Sequence, residues 1–150
     1  MSADSDLIKL YSDRILALAA DMSATTPLKD PHISVKKRSP LCGSVVTVDI
    51  KVKAGKVTGY AQDVKACALG QAAASVVGRS IIGCDLAQIE KAHDALQAML
   101  TSNGPTPDAP FDGLEVLLPA KDYKNRHASI LLALEAASEA MQKAAHQDCA

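Results

Sequence analysis

The chain has no tryptophan, one phenylalanine and three tyrosines, so aromatics make up 3% of its 150 residues. Stacking platforms for bases or sugars are correspondingly few, and the core has to be built from aliphatic side chains and alanine. Charge is almost balanced, with 16 lysines and arginines against 17 aspartates and glutamates. A net charge of −1 supplies no field to draw in nucleic acid or an anionic membrane. No stretch approaches the roughly 18 apolar residues of a membrane span. The opening Met1-Ser2-Ala3-Asp4-Ser5-Asp6 is acidic, where a signal peptide is basic. Four cysteines do not make a disulfide scaffold in a chain long enough to bury its own core. The expectation is a cytoplasmic protein of one domain over residues 1–150, with reduced thiols and neither a nucleic-acid nor a membrane partner.

What is present is patterned. Leu7, Leu10, Tyr11, Ile15, Leu16, Leu18 and Ala19 recur at helical spacing and predict a helix over residues 6–22, capped by Asp4 or Ser5. Residues 23–31, with Thr-Thr-Pro and Asp-Pro, read as a linker. Ile33 and Val35 suggest a short strand, and Lys36-Lys37-Arg38 reads as its solvated end. Val46, Val48, Ile50 and Val52 alternate with Thr47, Asp49, Lys51 and Lys53, the pattern of a sheet wet on one side only. Ala54-Gly55 supplies a tight turn into a strand over residues 56–64, in which Gly59 marks a bulge. A small-faced helix follows over residues 68–82. Asp85 with Gln88 resembles a capping box opening a further helix to residue 100. Residues 102–110 read as a proline-rich loop, residues 111–118 as extended or irregular, and a last helix starts near Arg126 with Asn125 as its cap. The order predicts an α+β fold, a three-stranded antiparallel sheet with helices packed on one face.

Two cysteines stand where chemistry could be held. Cys42, in Pro40-Leu41-Cys42-Gly43-Ser44, opens the alternating strand, and Cys67, in Val64-Lys65-Ala66-Cys67-Ala68-Leu69-Gly70, leads into the small-residue helix. His127, in Arg126-His127-Ala128-Ser129-Ile130-Leu131, adds a third soft or borderline ligand. Deprotonated sulfur donates strongly to iron or zinc. Structural zinc favours four ligands with C-x-x-C pairs, whereas three ligands from separate segments make a fold-dependent, open site suited to a transient cargo. On residues alone the alternatives stay open, because a lone cysteine is commonly a small buried hydrophobe and a histidine near a helix start commonly a capping group. Lys65 beside Cys67 is either an influence on that thiol or a solvated strand end. Cys84 and Cys149 read as structural or incidental, and His32, His93 and His146 as surface residues.

The same segments resemble the U-type iron–sulfur cluster scaffold family, the group of the NifU N-terminal domain, IscU and SufU. The resemblance spans roughly residues 7–142. It rests on Leu10-Tyr11-Ser12, Pro40-Leu41-Cys42-Gly43, Lys65-Ala66-Cys67-Ala68 and His127-Ala128-Ser129-Ile130-Leu131, in that order. It implies a three-stranded sheet with helices on one face and an accessible site at one end. A [2Fe-2S] cluster would be assembled there transiently, with zinc or iron as other occupants. Cys42, Cys67 and His127 would be the cofactor and metal ligands. A cysteine desulfurase would supply sulfur, and apo iron–sulfur proteins would receive the cluster. The chain departs from the family at two site positions, with Ser44 where an aspartate is common and Ala128 where a third cysteine is common. Leu118-Pro119-Ala120-Lys121 stands for the longer chaperone-recognition segment of the family.

The expected function is therefore a non-enzymatic scaffold, monomeric or weakly dimeric. The alternatives are a SufE-like sulfur acceptor and desulfurase activator, or a degenerate paralogue that binds no cluster.

Overall fold

The alternation of residues 45–53 is realised as the central strand of a three-stranded antiparallel sheet. In the computed structural model, which describes residues 12–40 and 43–148, the strands are β1 (Ile33–Arg38), β2 (Val45–Lys53) and β3 (Lys56–Lys65) in the order β1-β2-β3. Ile33, Val35, Val46, Val48, Ile50, Val57 and Tyr60 are buried on one face. Ala54 and Gly55 both take positive φ, 53° and 76°, as a two-residue hairpin matched to strand twist requires. The pairing slips beside Gly59, where Lys51 faces Gly59 and Val52 faces Val57. The bulge expected at that glycine is there.

The other face is not simply wet. The linker runs along the free edge of β3, where the Gln62 N–H donates to the Ala24 carbonyl at 2.8 Å. Leu28 lies over Gly59, 3.4 Å from where a Cβ would stand. A missing side chain in the strand thus makes room for a linker leucine.

Among the described residues the helices are α1 (Asp13–Ala20), α2 (Ala68–Ser80), α3 (Leu86–Thr101) and α4 (Lys124–Asp148), with a 3-10 segment over Asp112–Asp122. Helix α4 packs on β1, β2, α2 and α3, while α2 also meets β3 and α1. The apolar set Ile130, Leu131, Leu134, Ala137 and Met141 is buried as its spacing requires. Helix α2 is sunk between these layers, and its Leu69, Gly70, Ala72, Ala73, Ala74, Ser75, Val76 and Val77 are all buried. Small residues there let backbones approach closely.

Four boundaries differ from the sequence expectation. The helix predicted over residues 6–22 starts, among the described residues, at Asp13, because Ser12 is extended and its hydroxyl accepts from the Ile15 N–H at 3.3 Å. Asp4 and Ser5 lie outside the described residues. The second helix ends at Ser80, short of residue 82, and Gly83 turns the chain at φ 89°. Residues 111–118 are largely 3-10 helix, part of a segment that runs on through Pro119 to Asp122. Asn125 is no cap: it lies inside α4, and the Arg126 N–H already donates to the Tyr123 carbonyl at 2.9 Å. The capping box of α3 forms as read, with Asp85 accepting from the Gln88 N–H at 2.8 Å and Gln88 accepting from the Asp85 N–H at 3.0 Å. No described helix is long and apolar enough to cross a membrane.

Candidate functional site

The hairpin register builds one end of the sheet. Pairing of Arg38 with Val45, and of Val45 with Lys65, places the β1–β2 loop beside the chain leaving β3. The loop is closed by the Ser39 N–H donating to the Ser44 carbonyl at 2.8 Å and the Gly43 N–H donating to the Ser39 carbonyl at 2.9 Å. Cys42 belongs to this loop by sequence and lies outside the described residues, as does Cys149.

Cys67 is the N-cap of α2, with extended φ −66° and ψ 169°. Its carbonyl accepts from the Gln71 N–H at 2.9 Å, while its side chain makes no capping hydrogen bond. The thiol is free and half-buried. It turns instead toward α4, where its Sγ stands 3.6 Å from the Ser129 Oγ. The Ser129 Oγ in turn stands 3.1 Å from the Ser44 Oγ. The three groups come from three separate segments. Lys65 is exposed at the end of β3.

His127 faces another way. Residues two apart on a helix point about 200° apart around the axis, so the turn that aims Ser129 at Cys67 aims His127 elsewhere. The ring is buried, and its Nε2–H donates to the Ala120 carbonyl of the 3-10 segment at 3.0 Å. That bond leaves Nδ1 as the nitrogen with a lone pair. The ring also lines a surface cavity of about 630 Å³ shared with Lys121 and Lys124. Among the described residues, no three His, Cys, Asp or Glu side chains are grouped as a metal ion needs.

Ser129 is the residue that sequence reasoning passes over. Its signal lies in Gly70: a Cβ there would fall 3.1 Å from the Ser129 carbonyl oxygen and 2.9 Å from the Ala66 Cβ. Only the glycine lets α2 and α4 touch at this level.

The other described thiol is inert by placement. Cys84 is buried, and its Sγ–H donates to the Ser80 carbonyl at 3.5 Å. Burial pushes its pKa up, and the neighbouring Asp85 charge pushes it further. His93, read from sequence as a surface residue, is half-buried and joins two helices, with Nε2 at 3.0 Å from Glu135 and Nδ1 at 3.2 Å from Asp94. The Glu135 hydrogen bond holds its pKa above the usual histidine value, against the opposing effect of burial. His32 and His146 are exposed.

The comparisons with known proteins agree with this architecture. The family model for the NifU-like N terminal domain matches residues 10–144. The crystal structure of a NifU-like protein (N-terminal) from Brucella abortus is 39% identical, with a TM-score of 0.91, over 95% of this chain and 99% of that one. A SufU protein from Fervidobacterium islandicum, assigned as an iron–sulfur cluster assembly scaffold for the SUF system, shares the fold. It is 19% identical with a TM-score of 0.78, over 89% of this chain and 98% of that one. No curated protein matches. The extent of the family match and the identity to the Brucella structure establish that this chain belongs to the NifU-like N-terminal domain family, the U-type iron–sulfur cluster scaffolds.

Proposed function

We propose that this chain is an iron–sulfur cluster assembly scaffold. It takes iron and sulfur as cargo on the Cys42 and Cys67 sulfurs and passes the cluster to apo-proteins. The observation that carries the reading is Cys67: a half-buried thiol at a helix N-cap, at the end of the sheet where the loop bearing Cys42 closes. Soft thiolate donors suit iron and sulfide. The site works by binding and transfer, with no turnover chemistry of its own. A cysteine desulfurase supplies sulfur, and a reducing compartment such as the cytoplasm keeps the thiols available. The cargo is a [2Fe-2S] cluster.

Anaerobic loading with ferrous iron, cysteine, a desulfurase and a dithiol reductant that converts the delivered sulfane sulfur to sulfide, followed by iron and sulfide counting and visible absorption, tests the proposal. The wild type is expected to take up both elements, and Cys42→Ser and Cys67→Ser are each expected to lose most of that uptake. Unchanged uptake in both variants contradicts it. A second reading, a sulfur acceptor working through one thiol, draws support from the hydroxyl beside Cys67 and from the serine at position 44, where a carboxylate ligand is common in the family. Sulfane sulfur confined to one cysteine, with no iron retained, selects that reading.

A further inference from the structure

We propose that Ser129 is the positioning residue of this thiol site: its buried hydroxyl ties Cys67 to Ser44 and sets the direction in which the Cys67 sulfur faces. The inference rests on the reading of Cys67 as a sulfur-handling thiol. Ser129 is 2% exposed and Ser44 4% exposed, whereas Cys67 is half-buried. The Ser129 hydroxyl, 3.6 Å from Sγ, therefore approaches the sulfur from the protein side and leaves the outer side to an incoming reactant.

Counting protons gives the contact its direction. A hydroxyl carries one proton and two acceptor lone pairs. A Cys67 sulfur that bonds a metal or a second sulfur can only accept, so the Ser129 proton turns toward it. The Ser129 oxygen is then left to accept from the Ser44 hydroxyl 3.1 Å away. When Cys67 is a thiol, its own proton can point at Ser129. The serines thus serve both states by rotating protons, without moving side chains. A carboxylate at position 44 would present only acceptors to the same hydroxyl.

The packing is built around this contact. Gly70 admits the Ser129 backbone and hydroxyl where any larger residue would push α4 away. Without the Ser129 hydroxyl, Cys67 has no described hydrogen bond to select one staggered rotamer over the others.

The test uses the full chain with neither iron nor desulfurase, so its result is separate from that of cargo loading. Alkylation of Cys67 in the native protein is followed by peptide mass spectrometry at one fixed pH. The infrared S–H band is recorded as a difference spectrum between parent and variant. Ser129→Ala is expected to slow Cys67 alkylation about threefold, the factor for spreading one held rotamer over three wells. It is also expected to move the S–H band toward the non-bonded position. Ser44→Ala, which leaves the direct contact with sulfur in place, is expected to give a smaller loss of the same kind. It decides the matter if Ser129→Ala does not fold. A shift in melting temperature with an unchanged alkylation rate and an unchanged S–H band assigns Ser129 to packing alone and overturns the proposal. Unchanged rate and band in Ser44→Ala overturn it equally.

Discussion

The two described cysteines stand at opposite ends of α2, and the protein treats them in opposite ways. Cys67 caps the N-terminal end, half-buried, with a serine hydroxyl beside its sulfur. Cys84 follows the C-terminal end and is buried at 2% exposure. Its N–H donates to the Ile81 carbonyl at 3.0 Å, and its carbonyl accepts from the Val57 N–H at 2.9 Å. One thiol is held toward an open end of the sheet, and the other is part of the joint between α2, α3 and the hairpin. The residue type is the same, and the surroundings decide what it can do. Burial and an adjacent carboxylate keep Cys84 protonated, which removes it from nucleophilic and ligand chemistry.

The largest effect that sharpens this contrast is chemical labelling of the folded protein. Cys67 is expected to react in the native state. Cys84 should react only through opening of the structure, roughly a hundredfold or more slowly. Equal rates at the two thiols would erase the distinction. Next comes the close approach beneath Cys67. Gly70→Ala forces a methyl against the Ala66 Cβ and the Ser129 carbonyl and is expected to cost about 1–3 kcal/mol in urea or thermal unfolding. It should also disturb the Cys67 labelling rate, while a substitution at Gly55, in the turn at the other end of β3 from Cys67, should not.

At the Cys84 end, Asp85→Ala removes the carboxylate of the capping box. It is expected to lower stability by about 1 kcal/mol, measured by the shift in urea midpoint, and to leave Cys67 labelling unchanged. The smallest effect concerns His93, which lies away from both thiols. Its folded pKa is raised above the unfolded value, chiefly by Glu135. Its contribution is therefore complete below the unfolded value of about 6.5 and is lost as pH rises through the folded value. Wild type and His93→Gln should differ by about 0.5–1 kcal/mol in mildly acidic solution and converge as the pH passes the folded pKa. Thermal unfolding across that range checks it, and a gap that widens with rising pH would show that the sign is wrong.

Much of the fold is legible in local chemistry. The alternation of residues 45–53, the Ala54-Gly55 turn, the glycine bulge and the Asp85–Gln88 box are all decided within a few residues, and each forms as read. The boundaries that differ are decided by competing local signals. Ser12 offers a cap in the middle of an apolar periodicity that runs on either side of it, and the first turn of α4 is set by Tyr123 ahead of Asn125. Of the candidate site, the placement of Cys67 at a strand-to-helix junction was legible in the sequence. The site's geometry was not, because the Cys67–Ser129–Ser44 contact depends on α2 and α4 meeting at Gly70, far apart in sequence. The direction of the His127 ring depends likewise on a 3-10 segment whose carbonyl at Ala120 has no sequence signature.

The central claim is that sulfur handling belongs to the Cys67 end of α2 and not to the Cys84 end. The most direct measurement locates sulfane sulfur by peptide mass spectrometry after incubation with a cysteine desulfurase and cysteine, in the wild type, Cys67→Ser and Cys84→Ala. The account predicts label on the Cys67 peptide of the wild type, with or without label on Cys42, loss of the Cys67 share in Cys67→Ser, and an unchanged pattern in Cys84→Ala. Label on Cys84, or a pattern that ignores Cys67→Ser, would contradict it.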